Sequence, residues 1–350
     1  MGSVPSGSVA LVVTSPPYPM IEMWDAGFAE QDASVEDALA RSDGWAAYQK
    51  MHRLLDSVWR EVHRVLVDGG IACINIGDAT RSVGESFALY PNHAHISTCL
   101  VELGFTPLPA ILWRKPTNAP NKFMGSGMLP PGAYVTLEHE YILIVRKGNK
   151  REFQSAESKA RRRESSFFWE ERNQWFSDVW FDLPGTPQSL PGREKRERSG
   201  AFPFELPYRL INMFSLKGDT VLDPFLGTGT TMLAAMACER NSMGFERDES
   251  LADSVVSTVD TVLELSRLRL QQRLDAHRDF VKKREADRGE LGYRNEHYGF
   301  PVVTRQETEL VLSEACAVVS DGPLGFRVDH RAPPLRRPGS QCEPGLEERR

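Results

Sequence analysis

Ser15-Pro16-Pro17-Tyr18 near the start of the chain, and the run Asp223-Pro224-Phe225-Leu226-Gly227-Thr228-Gly229-Thr230-Thr231 far downstream, hold the residue types best suited to chemistry. Two consecutive prolines fix the backbone and remove two N–H donors, so the carbonyls around Pro16 and Pro17 form a rigid acceptor array. A hydroxyl such as Ser15 beside that array suits an exocyclic amino group, which has two hydrogens to donate. Tyr18 supplies a ring that can stack on a planar base, worth about 1–3 kcal/mol. Taken alone, the same four residues also fit a plain turn that closes a strand.

The downstream run narrows the choice. A buried strand, a Gly-x-Gly turn and a helix form the entry to a nucleotide-binding βαβ unit, where glycine lets a ligand approach the backbone. An acidic residue roughly 20 positions on, at the end of the next strand, typically meets ribose hydroxyls; Glu246 fits that place. The run lacks the Lys of a phosphate loop and the third Gly of the dinucleotide pattern. An adenosine-containing cofactor without a pyrophosphate fits better.

Both motifs need elements to hold them. Val9 to Val13 and Thr220 to Leu222 are apolar, β-branched runs that read as buried strands. In an open α/β sheet, ligands gather beyond the carboxyl ends of the strands, so both motifs are expected on one crevice. Gly44 to Leu66 has apolar residues at three- and four-residue steps and reads as a helix stopped by Gly69-Gly70. A strand Ile71 to Ile76 ending in Gly77-Asp78, a helix Asn92 to Leu103, and strands Leu108 to Trp113 and Glu140 to Val145 follow, the last two candidate antiparallel partners. Pro19 to Asp43 reads as irregular, with Met20, Met23, Trp24 and Phe28 on the surface. Residues 148–200 lack a sustained period and read as an inserted module outside the sheet. Helices Pro203 to Leu216 and Met232 to Glu239, a strand Ser242 to Glu246, and one or two charged helices over Leu251 to Arg288 complete the pattern. The tail beyond Pro333 reads as disordered.

The 350 residues can bury a full core, and no apolar run approaches the ~18 residues of a membrane span. No export signal is evident, so a cytoplasmic location is expected. The five scattered cysteines and the pair His93 and His95 argue against a disulfide framework or a metal site. Net charge is −6, yet Arg146, Lys147, Lys150, Arg151, Lys159, Arg161, Arg162 and Arg163 cluster, and Arg193, Lys195, Arg196 and Arg198 form a second knot. Such knots on an acidic protein suit either a phosphate-binding face or an ordinary solvated surface.

The paired motifs resemble those of the amino-methylating DNA methyltransferases, whose catalytic run is (Ser/Asp/Asn)-Pro-Pro-Tyr and whose cofactor loop is Asp-Pro-Phe-x-Gly-x-Gly-Thr-Thr. The order, catalytic run first, is similar to the permuted β group, in which a target-recognition region lies between the motifs. Arg64-Val65-Leu66, Trp113-Arg114-Lys115, Glu138-His139-Glu140-Tyr141 and Phe202-Pro203-Phe204-Glu205-Leu206 extend the likeness. It spans about Val9 to Glu249. The resemblance implies a Rossmann-like α/β methyltransferase sheet with an inserted recognition module, S-adenosylmethionine as methyl donor, and a base flipped from double-stranded DNA.

Carried over, Ser15 and the Pro16 carbonyl accept from the target amino group, Pro17 stiffens the hook, and Tyr18 stacks on the base. Asp223, Pro224, Phe225, Gly227, Gly229 and Thr230 line the cofactor, Glu246 meets its ribose, and Phe202 and Pro203 pack near its methionine end. Arg161, Arg162, Arg163, Arg193, Lys195 and Arg196 contact DNA, the first three within a module that includes Phe167, Phe168, Trp169 and Trp175. The implied organisation is a catalytic half (1–147), a recognition insertion (148–200), a cofactor half (201–265), a helical and β-rich extension (266–332) and a tail (333–350). Ser at the first motif position is associated with cytosine N4, with adenine N6 the alternative. A restriction endonuclease for the same site is an implied partner. Ring-carbon methylation would need a nucleophilic Cys, typically after Pro, and the chain has no Pro-Cys dipeptide.

In one respect the pattern departs from the group. Its members usually carry a strand ending in Gly-Asp, with its helix, ahead of the catalytic strand, whereas Met1 to Ser8 are too few for both. Either the true start lies upstream, or Ala315 to Val319 and Phe326 to Val328 are expected to fill that sheet edge. A non-catalytic DNA-binding relative with weakened cofactor affinity is the alternative of another class.

Overall fold

A computed structural model describes residues 1–115, 124–185 and 202–333. Five apolar residues and a closing threonine form β1 (Val9–Thr14), buried along its whole length. The next segment holds two short helices, α1 (Asp25–Ala29) and α2 (Ser34–Ala40), rather than irregular chain, and it buries Met20, Phe28 and Val35. Only Met23 among the residues expected outside is well exposed. Next comes α3 (Gly44–Val65), capped by the Asp43 carboxylate on the Ala46 amide at 3.0 Å.

The helix ends four residues before Gly69, and β2 (Leu66–Ile76) already runs through the glycine pair. There the register against β1 slips, so the glycines mark a bulge inside the strand. A hairpin of β3 (Ala79–Val83) and β4 (Ser86–Tyr90), α4 (Asn92–Glu102), β5 (Phe105–Arg114), a small pair β6 (Met124–Gly125) and β7 (Ala133–Tyr134), and β8 (His139–Lys147) follow. Beyond them lie α5 (Ala156–Glu164), α6 (Trp169–Trp175), β9 (Val179–Trp180), α7 (Glu205–Phe214), β10 (Thr220–Asp223), α8 (Thr230–Ala237), β11 (Asn241–Gly244), α9 (Ala252–Val259) and α10 (Val262–Arg288). Two small hairpins, β12 (Tyr293–Arg294) with β13 (Pro301–Val302) and β14 (Glu314–Ser320) with β15 (Phe326–Arg331), close the described chain.

Seven strands form one sheet in the order β11-β10-β1-β2-β8-β5-β9. β11, β10, β1 and β2 are mutually parallel, β8 is antiparallel to both neighbours, and β9 is parallel to β5. Helices α3 and α4 cover one face with Trp59, Met51 and Ile96; α7 and α8 cover the other with Leu206, Ile211 and Ala234. The chain leaves β1 for one face and β10 for the other. These adjacent strands are therefore the topological switch point, where an open α/β sheet leaves a crevice at its carboxyl ends.

Two expectations are corrected here. Residues 148–200 are not wholly outside the sheet, because β9 forms its edge and Trp180 packs in its core. Nor do Ala315 to Val319 and Phe326 to Val328 fill the edge beside β11. They pair with each other as β14 and β15 and pack on α8, α9 and α10 through Ala315, Val318, Phe326 and Val328. Their apolar side chains find more surface on those helices than along a four-residue edge strand with largely exposed side chains. The proposed boundary at 266 falls inside α10. Among the described residues no helix is long and apolar enough to cross a membrane. The tail 334–350 lies outside them.

Candidate active site

The two motifs meet at that switch point. Thr14 Oγ1, at the end of β1, donates to Asp223 Oδ1 at the end of β10 over 2.6 Å. Thr231 Oγ1 donates to Asp223 Oδ2 at 2.7 Å, and the Phe225 amide to Oδ1 at 3.0 Å. Asp223 is 3% exposed, with these three donors on its carboxylate. Burial pushes its carboxyl up to about 6, against the pull of the three hydrogen bonds. Asp223, expected to line the cofactor, is also the internal clamp that joins the two motifs.

Beyond the clamp the loop opens. Gly227 has φ 55°, and a Cβ built there would meet nothing within 4 Å, so its surface faces free space. Its amide donates to Glu246 Oε2 at 2.8 Å, while the Arg247 and Asp248 amides donate to Oε1. Glu246 lies two residues past β11, exposed and held by backbone donors. Gly229 caps α8, and Thr230 is its first residue. Pro224 is buried, and Phe225 packs edge-on against Trp59 with ring centroids 6.1 Å apart. Phe202 is buried with Leu206 on the α7 face, next to half-buried Pro203. An exposed, fixed carboxylate beside an open glycine turn suits the hydroxyls of a bound nucleoside.

Across the crevice stands the double-proline hook. Pro16 is buried; Ser15, Pro17 and Tyr18 are half-buried. Ser15 Oγ donates to Tyr18 Oη at 3.1 Å, and Tyr18 Oη donates to Glu140 Oε2 at 2.9 Å. Asn75 Nδ2 donates to Tyr18 Oη at 2.8 Å and to Glu140 Oε2 at 2.7 Å. Lys115 Nζ closes the network on Glu140 Oε1 at 3.0 Å. Burial, then the Glu140 carboxylate, holds the Tyr18 phenol well above its usual 10, so it keeps its proton. Gly77 lets the ring come close: a Cβ there would stand 3.1 Å from Tyr18 Cε2.

Three residues of this network had no role assigned from sequence. Asn75, 2% exposed, is the polar residue in the otherwise apolar run Ile71 to Ile76 at the end of β2, a signal in itself. Glu140 and Lys115 stood in runs noted only for their likeness to the family. The sheet gathers them: β8 pairs with both β2 and β5, setting Glu140 opposite Trp113 and diagonal to Asn75.

Other sequence candidates lie elsewhere. Arg161, Arg162 and Arg163 stand on α5, whose end meets Lys217 ahead of β10, at the amino end of the parallel strands. The crevice lies beyond the opposite end, at least the length of β10 away, roughly 13 Å. Arg161 pairs with Glu157, Arg163 with Glu309, and Arg162 covers the Phe153 ring. Arg151 and Lys147, from the same basic stretch, tie down Asp219 and the end of α3. Phe168 and Trp175 are buried rather than presented to a ligand. They belong to a junction where Arg273 of α10 forms a bidentate pair with Glu171 of α6 and His277 stacks on Phe168. His93 accompanies Asp78 at 2.8 Å, and His95 stacks on His52. Arg193, Lys195 and Arg196 lie outside the described residues.

Comparison with known proteins agrees with this geometry. Residues 9–257 match a family model for N6 and N4 methyltransferases, described as DNA methylase. The type II methyltransferase M.MthZI of Methanothermobacter thermautotrophicus is 51% identical over 313 residues, covering 89% of this chain and 87% of that protein. M.MjaI of Methanocaldococcus jannaschii, also a type II methyltransferase, is 51% identical over 266 residues, covering 72% and 85%. Among solved structures, a Thermus thermophilus protein assigned as a DNA modification methylase, complexed with S-adenosyl-L-methionine, shares 33% identity at a TM-score of 0.55. The match covers 75% of this chain and 89% of that one.

Proposed function

The chain belongs to the N6/N4 DNA methylase family, and on that premise we propose that it moves a methyl group from S-adenosylmethionine to the N4 amino group of a cytosine extruded from duplex DNA. The observation that carries this reading is the Thr14–Asp223 contact of 2.6 Å, which puts the acceptor hook and the open glycine loop on one crevice.

When bound, S-adenosylmethionine supplies an electrophilic methyl carbon on a sulfonium centre. Glu246 receives the ribose hydroxyls, the Pro224, Phe225, Gly227, Gly229 and Thr230 stretch lines the nucleoside, and Phe202 and Pro203 flank the methionine end. Ser15 Oγ and the Pro16 carbonyl each accept one amino hydrogen of the base. An exocyclic amino group delocalises its lone pair into the ring; acceptors on both hydrogens return it to nitrogen, which makes that nitrogen the nucleophile. The amino nitrogen would bond the methyl carbon as the carbon–sulfur bond breaks, leaving a neutral thioether. The nitrogen, now cationic, would release one of its hydrogens as a proton past the Ser15 and Pro16 acceptors to solvent. Catalysis is positioning and electrostatics, with no covalent enzyme intermediate. Tyr18, backed by Gly77, supports the base.

Ser15 in the first motif position supports cytosine over adenine. Arg193, Lys195 and Arg196 are proposed as phosphate contacts that set the position of the duplex without choosing its sequence. The type II relatives support a paired endonuclease for the same site. The test is transfer of a labelled methyl group to DNA, followed by digestion to nucleosides and mass spectrometry. N4-methylcytosine is expected; N6-methyladenine would move the specificity to the other base. Failure to bind the cofactor in calorimetry, with DNA binding intact, would leave a non-catalytic relative.

A further inference from the structure

A serine hydroxyl is a poor choice of acceptor unless something decides its polarity. It carries one donor and two acceptor sites and rotates freely, whereas an amide or carboxylate oxygen can only accept. Facing an amino group, a hydroxyl that points its own hydrogen at the substrate nitrogen competes for the lone pair that the reaction needs.

The hydrogen count around Tyr18 settles which way Ser15 points. Glu140 has Lys115 at 3.0 Å on one oxygen and acts as acceptor only. Asn75 must turn its NH2 toward this corner, since its carbonyl would face the carboxylate; its two hydrogens go to Tyr18 and Glu140. Tyr18 has a single proton, and the Glu140 carboxylate at 2.9 Å takes it. The remaining contact, Ser15 Oγ to Tyr18 Oη at 3.1 Å, can be a hydrogen bond only if Ser15 donates. Its hydrogen is thereby spent inside the protein, and both lone pairs are left for the crevice.

We propose that Tyr18 and Glu140 are positioning residues that make Ser15 an obligate acceptor toward the target amino group, with Asn75 and Lys115 holding the Glu140 carboxylate in place. The inference rests on the reading of Ser15 as the substrate acceptor. It gives the Tyr18 hydroxyl a task separate from the stacking of its ring. It also explains why the hook is built across three strands: the donor chain Ser15 to Tyr18 to Glu140 needs a fixed carboxylate at its end.

The experiment is a double-mutant cycle read by single-turnover methyl transfer, with cofactor and DNA affinities measured alongside. Tyr18→Phe keeps the ring and removes only the hydroxyl, and its transfer rate should fall roughly tenfold to a hundredfold, with both affinities within about twofold. In a Ser15→Ala protein the same change should have no further effect, because the hydrogen it orients is already gone. A Tyr18→Phe rate equal to wild type, or losses that multiply in the double variant, would overturn the proposal. If Tyr18→Phe lowers thermal stability, Glu140→Gln carries the same cycle, since it leaves the phenol in place and can offer it an oxygen only by turning an NH2 on Lys115. Full activity in Ser15→Ala is a different failure: it removes the acceptor reading itself rather than the relay alone.

Discussion

The two walls of the crevice are built on opposite plans. The downstream wall is local: Asp223, the Phe225 amide and Thr231 satisfy one another within a single turn, with Thr14 the one donor from far away and Glu246 arriving at the end of the very next strand. The upstream wall borrows almost everything. Ser15 and Tyr18 depend on Asn75 of β2, Glu140 of β8 and Lys115 just past β5. A cofactor common to many enzymes can be met by one turn and one acid. An acceptor of defined polarity for one substrate group needs a network, and only the sheet assembles it.

The sharpest way to break that contrast is at Ser15. Ser15→Ala should reduce methyl transfer by roughly 10²–10³-fold, the usual loss when one oriented polar contact to the reacting group is removed, while calorimetry shows unchanged cofactor binding. Asp223→Ala should instead act on both walls at once. It strands the Thr14 and Thr231 hydroxyls and the Phe225 amide, and chemical denaturation should register a loss of roughly 2–4 kcal/mol.

Asp223 also makes a pH prediction. Its carboxyl titrates at about 6 in the fold against an ordinary value of 3.8, so between those pH values the folded state holds a proton that the unfolded chain releases. This group's contribution therefore favours folding increasingly as pH falls from 6 toward 4, by an amount on the order of 1–3 kcal/mol. Denaturation curves of wild type and Asp223→Asn at pH 7 and pH 4.5 should differ in that direction; a shift of the opposite sign would contradict the assignment.

Gly227→Ala probes the open loop with a smaller effect. Its φ of 55° suits glycine, so alanine should cost about 1 kcal/mol of folding stability, read by chemical denaturation, with DNA affinity unchanged. Smallest of all should be the combined change of Arg161, Arg162 and Arg163 to Ala. These arginines stand at the far end of the sheet and are engaged locally, so DNA affinity at fixed salt should move by no more than about twofold.

Legibility in the sequence follows the same division. The helix read over Gly44 to Leu66 ends one residue earlier, and Glu246, singled out by its distance to the glycine turn, accepts from the Gly227 amide; both are local signals. Glu140 was visible in its run but had no role, since its partner Tyr18 is 122 positions away and only strand pairing joins them. The edge strand β9 went unread because two residues show no period. The aromatic residues of α6 looked like a binding surface. Their cover is α10, and the Arg273–Glu171 pair that docks it spans 102 positions.

The most direct test of the account is where the methyl group ends up. DNA incubated with the purified protein and labelled S-adenosylmethionine, digested and resolved by mass spectrometry, should carry the label on an exocyclic nitrogen, and the label transferred in a fixed short time should fall roughly 10²–10³-fold with Ser15→Ala. Label on a ring carbon, or undiminished label with Ser15→Ala, would contradict the acceptor crevice.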